Sequence, residues 1–582
     1  MEKLSCGYLG FVFAAALGLL AGSPKLASAQ ATCADPKAAD FKKETLVPNG
    51  QLKEPIELSV TKDGRVFVVE RAGNVMLYNP STHLTTVALA LDVYINPGAY
   101  DVGGILGVTV HPDFPANDWV YVYYAPKALF SGANNNATGK LSYRLSRFRF
   151  VSDHLDLPSE QIFFEVPSVF ETHNSGSLKF GKDGDLYLST GDNSNAAENE
   201  QFSPMDERLG HEYDDDQRST ANTNDLRGKI LRIHPEAVKQ SDGKYYSIPA
   251  GNLFPVGTEK TRPEIYTMGH RNPYRIFPDP VTGRLYIGEF GPAAQATTDR
   301  GPAGADQLKV TDTPAFLGYP FFLKDNQPYC HWDYATLQCT PIAGQTGMKY
   351  DPARPLNNSR NNTGLQVLPP AHPAVLWEHD GPSTDPIPGL KTCGFGAGPV
   401  YYFDSSSTSK VKFPPFFDGK WTFFGIYAGG WSAKLTTVPA GPVGAIKAAV
   451  NPPWVGAPGV TFTAGIHDME YGLGDGALYI VDYGSGHYTN NGDAGLSRIT
   501  YNGCLPPVVS LADRGAKKSE ANAFLALTSG TRLRAPIWAQ GLQVYDLSGR
   551  LVYEKHFTRE SASGLTWPRD LGMGLFRVRW QP

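Results

Sequence analysis

Thr172–Asn193 reads THNSGSLKFGKDGDLYLSTGDN, and this stretch decides the fold. Leu178, Phe180, Leu186, Tyr187 and Leu188 place β-favouring apolar side chains on either side of Lys182-Asp183-Gly184-Asp185, which carries the turn chemistry a hairpin needs. Related strand-turn-strand units recur as ELSVTKDGRVFVVERAGNV from Glu57, RIFPDPVTGRLYIGEFGP from Arg275 and MEYGLGDGALYIVDYGSG from Met469. Looser relatives are PANDWVYVYYAP from Pro115 and FFDGKWTFFGIYAGGW from Phe416. Repetition of one supersecondary unit points to a repeat architecture. Six such units between residues 46 and 504 predict an all-β chain built on a six-bladed β-propeller with long inter-strand loops. The irregular spacing leaves a β-sandwich pair or a solenoid as the alternative.

The bulk composition agrees with this reading. The chain has 582 residues, 41% hydrophobic and only 19% charged, enough to bury a large core, and its 61 Gly and 46 Pro favour short strands and tight turns. A formal net charge of -5 with mixed signs gives no footprint for nucleic acid. Lys3, the apolar run Leu9 to Leu20 and Ala27-Ser28-Ala29 read as a secretory signal peptide over residues 1–29, and no later apolar run is long enough for a membrane-spanning helix. The expected location is secreted, extracellular or at the cell surface, with the periplasm also open. With Cys6 removed, Cys330 and Cys339 are the first expected disulfide, Cys33 and Cys504 the second, and Cys393 is left over.

The expected order is a signal (1–29), an N-terminal extension (30–45), the propeller (46–504), a linker opening at Leu505-Pro506-Pro507 together with the start of the C-terminal region (505–540) and a C-terminal β domain (541–582). In that last part LQVYDLSGRLVYEKHF and LGMGLFRVRW alternate as in a small sandwich. It resembles the C-terminal sorting domains of bacterial type IX secretion, which implies contact with secretion machinery or attachment to the cell surface.

Four clusters are chemically suggestive. His173 precedes a strand and Asp192 ends its hairpin; a carboxylate on one ring nitrogen would fix the tautomer of a general base. Taken alone, a loop histidine is more often structural. Arg271-Asn272 follows Gly269-His270 and suits a planar, oxygen-rich anion, or else forms a salt-bridged bend. Gly291-Pro292 ends a strand ahead of Asp306 and offers carbonyls to calcium, although such a bend is commonly just a turn. The acidic run Asp206 to Asp216 lacks EF-hand spacing and reads better as a solvated loop than as a calcium site.

Taken in order, His173 to Asp192, LRGKILRI at Leu226 to Ile233, GHRNP at Gly269 to Pro273 and the Gly291-Pro292 bend resemble the soluble glucose and sorbosone dehydrogenases. GGILGVTVHPDF from Gly103 and AGPVYY from Ala397 extend the resemblance. It implies a six-bladed quinoprotein that uses pyrroloquinoline quinone (PQQ) and Ca2+ to oxidise a sugar or related alcohol and passes electrons to an external acceptor. His173 would be the base and Asp192 would orient it. Arg271 and Asn272 would contact the quinone, Gly291 and Pro292 the calcium, and Asp468 and Lys434 the cofactor pocket. Two departures stand out: Val102, where relatives carry Gln or Glu near this point, and Gly429, where a basic residue is usual. A calcium-dependent lactonase-type hydrolase and a non-catalytic carbohydrate-binding propeller are the alternatives.

Overall fold

The computed structural model describes residues 33–95, 103–131, 141–168, 172–194, 203–378, 394–426, 433–436, 449–462, 465–486, 490–506, 522–527, 541–545, 551–556 and 574–581. The signal segment, Val102, Cys393 and Gly429 lie outside them. Two units are separable, Met1–Pro506 and Pro507–Pro582.

The repeated turns explain how the larger unit is built. Gly64, Gly184, Gly283 and Gly476, the turn glycines of the four closest repeats, have φ of 85°, 75°, 79° and 68°. A side chain is strained in that region, so glycine fixes where each chain reversal falls. Across the reversals the apolar residues come into register, as Leu178 with Leu188, Ile276 with Ile287 and Met469 with Ile480.

The larger unit is all-β and propeller-like, and its helix among the described residues is limited to short 3-10 turns. Pro55–Val60, Val66–Glu70, Asn74–Asn79 and Leu84–Ala90 form one four-stranded antiparallel sheet; Ile105–Val110, Trp119–Tyr124, Leu141–Val151 and His154–Ser168 form the next. Leu178–Phe180, Leu186–Thr190, Lys229–Pro235 and Ile265–Met268 follow, extended by the two-residue strands Tyr246–Ser247 and Ala315–Phe316. A seven-stranded sheet comes next, in which Asn272–Pro278 and Phe395–Val400 are joined only by the parallel pair Arg275 and Gly396. In the last sheet Ile466–Tyr471, Leu478–Asp482 and Gly495–Tyr501 are completed by Phe41–Val47.

That pairing corrects the expected N-terminal extension. Phe41 to Thr45 are paired residue by residue with Tyr501 to Ser497, and Cys33 is disulfide-bonded to Cys504. The extension therefore closes the propeller-like unit instead of preceding it, because an outermost strand supplied from the other end of the chain ties the sheets together. Cys330 and Cys339 also pair, as expected.

The core lies between sheets. Phe67, Val69 and Leu77 of the first pack with Val108, Val120 and Val122 of the second. Tyr121 and Tyr123 on the other face meet Leu178, Leu186 and Leu188 of the third. Each such side chain contributes roughly 1.5–3 kcal/mol when fully buried.

In the second unit the strands run in the order Asn522–Leu527, Gly574–Gln581, Gly541–Tyr545, Leu551–His556. Its first strand falls inside the segment 505–540 that was expected to hold the linker and the start of this region. Leu542 and Val544 share a face and are buried.

Candidate active site

The candidate site gathers where the first strands of the sheets begin. His173 lies five residues before Leu178–Phe180, Arg271 immediately precedes Asn272–Pro278, and Gly291-Pro292 follows Leu285–Phe290, whose Phe290 pairs with Asn272. Three sequence-distant motifs thus meet at one mouth.

His173 Nδ1 lies 2.9 Å from Asp192 Oδ1, which also accepts the Ser194 N–H at 3.0 Å. An ionised carboxylate only accepts, so the imidazole carries its proton on Nδ1 and presents Nε2 as a lone pair. Asp192 is fully buried, whereas His173 keeps 9% exposure. Backbone hydrogen bonds hold the pair in place: Asp192 N–H donates to the Arg271 carbonyl at 2.7 Å, and Asn193 N–H donates to the His173 carbonyl at 3.3 Å. His173 and Ser175 have φ of 51° and 53°, a conformation costing about 1–3 kcal/mol per residue and kept only where the surroundings enforce it.

Gly191 is one of those surroundings. A Cβ there would meet the His173 carbonyl oxygen at 1.9 Å and Asn272 Oδ1 at 3.0 Å. Gly191→Ala should displace the histidine loop and lower stability by about 1–3 kcal/mol. Urea unfolding beside an activity assay checks this, with activity expected to fall further than the stability loss alone accounts for.

Asn272 Oδ1 accepts the Ser175 hydroxyl at 2.7 Å, linking the second motif to the histidine loop. Arg271 is 6% exposed, and its N–H donates to Glu289 Oε1 at 2.5 Å. Glu289 also faces Lys309 Nζ at 2.8 Å and His270 Nδ1 at 3.3 Å. Burial alone would raise the Glu289 carboxyl, but Lys309 and His270 hold it down at about 2. His270, buried, is pushed down to about 4 and is neutral. Glu289 was not foreseen as a site residue; its signal was a carboxylate in the apolar strand LYIGEF.

The expected solvated acidic run is buried at its two ends, while Leu209 and Gly210 between them stay exposed, which corrects that reading in part. Asp206, Asp215 and Asp216 are 2%, 0% and 1% exposed. Asp215 accepts from Ser359 at 2.6 Å and Asn361 at 2.9 Å, and Asp216 from the Tyr319 hydroxyl at 2.7 Å. Burial, and then Asp192, pushes Asp216 well above the usual carboxylate range. Asp206, His211 and Asp214 cluster, but Arg208 already spans both Asp206 oxygens at 2.9 and 2.7 Å. An arginine fork there supplies the charge a metal would bring.

Two expected cofactor residues are not brought to this mouth. Lys434 lies on the third strand from the channel, paired with Phe423, and donates to Asn451 at 2.8 Å. Strands lie about 4.8 Å apart, so two intervene as a spacer. Asp468 accepts from Leu58 N–H at 3.2 Å and Lys179 at 3.1 Å, within an ion cluster along the channel instead of beside His173. The family resemblance that implied both for the cofactor pocket aligns motifs along the chain and is silent about depth.

The charged groups at the mouth fit an acidic quinone. Arg271 is joined by buried Arg218, which donates to the Asn193 carbonyl at 3.1 Å, while Asp192 is committed to His173. Calcium is also chemically compatible with the bend: among the described residues neither the Gly291 nor the Pro292 carbonyl accepts a hydrogen bond, and carbonyl oxygens are good calcium donors. Gly291 N–H is itself anchored on Asp306 Oδ1 at 2.9 Å.

Residues 52–329 match the Glucose / Sorbosone dehydrogenase family model. The motif resemblance to the glucose and sorbosone dehydrogenases therefore holds for the part of the chain that contains His173, Asp192, Arg271, Asn272, Gly291 and Pro292. Quinoprotein glucose dehydrogenase B of Acinetobacter calcoaceticus is 25% identical over 366 residues, 62% of this chain and 68% of that protein. Hedgehog-interacting protein of Mus musculus is 26% identical over 236 residues, 39% of this chain but only 30% of its own length. Among solved structures, the PQQ-bound aldose sugar dehydrogenase of Streptomyces coelicolor superposes with a TM-score of 0.44 at 17% identity, covering 80% of this chain and 99% of that one.

Proposed function

We propose that this chain is a quinoprotein dehydrogenase that oxidises the hydroxyl of an aldose or related alcohol, exported from the cytoplasm and working with PQQ and calcium. The observation that carries the reading is the His173–Asp192 pair set beside Arg271-Asn272 at one mouth. A six-bladed reading is supported by the seven-stranded sheet, which would divide into two blades at its single parallel pair, and by first strands that touch in a ring returning from Ile466–Tyr471 to Pro55–Val60. The two disulfides suit an oxidising compartment, and among the described residues no helix is long and apolar enough to cross a membrane.

His173 Nε2 is the acceptor for the substrate hydroxyl proton, and the Asp192 carboxylate on Nδ1 stabilises the imidazolium that results. Arg271 and Asn272 would hold the quinone oxygens, with Ser175 fixing the Asn272 amide. Gly291 and Pro292 would offer carbonyls to calcium. When bound, the quinone supplies a two-electron acceptor for the hydride leaving the substrate carbon. The C-terminal sheet would serve sorting or surface attachment.

A non-catalytic reading is favoured by the likeness to Hedgehog-interacting protein. Reconstitution separates the two. Purified protein given PQQ and calcium should reduce a dye with one or more aldoses, and omission of either addition should remove the activity. Absence of PQQ binding at micromolar concentration would overturn the dehydrogenase reading.

A further inference from the structure

The channel has a second mouth, where the first strands of the sheets end. Ser59 to Lys62, Thr109 to Pro112, Lys179 to Gly181, Ile276 to Pro278, Ala397 to Tyr402 and Asp468 to Gly474 all reach it and enclose a cavity of about 320 Å³. His173, Arg271 and Asn272 are not in its wall. A volume of this size accommodates a small organic molecule.

The cavity floor is an ion cluster with unequal signs. Lys179 Nζ lies 3.1 Å from Asp468, 3.6 Å from Glu470 and 3.9 Å from Glu57, and Arg275 Nε is 4.0 Å from Asp468. Two cations therefore face three carboxylates. Glu57, fully buried, accepts from the Ser177 hydroxyl at 2.6 Å, Val108 N–H at 2.9 Å and Leu178 N–H at 3.1 Å, bonds that favour its charged form against the burial that pushes its carboxyl up. Asp468 likewise accepts from Leu58 N–H and Lys179. The surplus negative charge falls on Glu470. Its side chain is 24% exposed, and its contacts with Val60 N–H at 3.4 Å and Lys179 at 3.6 Å both use Oε2.

Much of the remaining wall is apolar or hydrogen-bonded within the protein. Phe180, Phe277, Pro278 and Pro399 supply hydrocarbon surface. Tyr402 donates to Asp279 at 2.6 Å, Lys412 donates to the Asp404 and Ser407 carbonyls at 2.7 Å each, and His111 Nδ1 accepts the Asp113 N–H at 3.1 Å. Lys62 and Asp404 are exposed at the rim with opposite charges.

We infer that this far cavity is a binding site for a small organic monocation, an ammonium group carried on an apolar or aromatic body, with Glu470 as its counter-ion. One positive charge neutralises the cluster, and the aromatic wall receives the body and adds cation–π attraction. A bare metal ion gains little there, because one accessible carboxylate against hydrocarbon cannot replace its hydration shell. Without a ligand, burial raises Glu470 to about 7, so the site holds a proton in place of the cation near neutrality. His111, the titratable imidazole in the wall, is pushed down by burial.

The test uses 2-phenylethylammonium chloride as the probe, followed by titration calorimetry on the full chain. Saturable one-to-one binding is expected, with 2-phenylethanol and phenylacetate at least about tenfold weaker. Binding should tighten roughly tenfold from about pH 6 to about pH 8 as Glu470 loses its proton. Glu470→Gln should weaken it at least about tenfold, while His173→Ala, at the opposite mouth, should leave it unchanged. Equal binding of the alcohol, a flat pH profile, competition by calcium chloride, or loss of binding in His173→Ala would each overturn the proposal. The alcohol and pH comparisons need no substitution, so they decide even if Glu470→Gln fails to fold.

Discussion

His173→Ala is expected to lower kcat/KM for aldose-dependent dye reduction by roughly 10²–10⁴-fold, the usual contribution of a positioned general base. The expectation follows from the geometry around its ring. Asp192 Oδ1 at 2.9 Å accepts the Nδ1 proton, which makes Nε2 the basic nitrogen of the ring. Alanine removes that lone pair but not the backbone bond from Asn193 N–H to the residue-173 carbonyl at 3.3 Å. The loop should therefore keep its course, and PQQ binding should change little. Asp192→Asn is the companion variant: an amide can present its NH₂ to Nδ1 and stabilise the wrong tautomer, so activity should fall although the side-chain volume is kept. Steady-state kinetics with a quinone-binding titration checks both. Unchanged kcat/KM in His173→Ala would remove the base from the account.

Glu289→Ala should carry the largest stability cost, about 3–5 kcal/mol, because it leaves the Lys309 ammonium buried without its carboxylate. Lys309 is 1% exposed and retains only the Gly269 carbonyl at 3.2 Å. The same change removes the acceptor for Arg271 N–H, so the arginine that would hold the quinone loses its anchor. The pH dependence has a definite sign. Glu289 sits at about 2 in the fold against 4.5 for the ordinary group, so its stabilisation is present above pH 4.5 and is lost as pH falls towards 2. That difference corresponds to about 3 kcal/mol. Urea unfolding across this range should show a steeper acid loss for the wild type than for Glu289→Ala; parallel profiles would contradict the assignment.

What could be read in the sequence was whatever is local in the chain. Asp-Gly and Thr-Gly turns announce left-handed glycine, and Gly64, Gly184, Gly283 and Gly476 adopt it. His173 and Asp192 are partners because one hairpin separates them, and Cys330 pairs with Cys339 across nine residues. Phe41–Val47 was misread because its partner strand, Gly495–Tyr501, is at the far end of the unit. The acidic run misled for a related reason. Charge density suggests solvent, yet Tyr319, Ser359 and Asn361 arrive from insertions more than a hundred residues away to satisfy Asp215 and Asp216. Lys434 shows a third limit: a resemblance aligns motifs along the chain and does not tell how far a residue's strand stands from the channel.

The central claim is that the mouth holding His173, Asp192, Arg271 and Asn272 is a quinone site where a sugar hydroxyl is oxidised. Its most direct measurement is a single turnover without dye: protein loaded with stoichiometric PQQ and calcium is mixed with excess aldose, and the quinone absorption is followed. Full reduction of one quinone per chain by wild type, with none over the same interval in His173→Ala that binds PQQ equally well, is the predicted result. No quinone bound, or reduction at the same rate in both proteins, would contradict it.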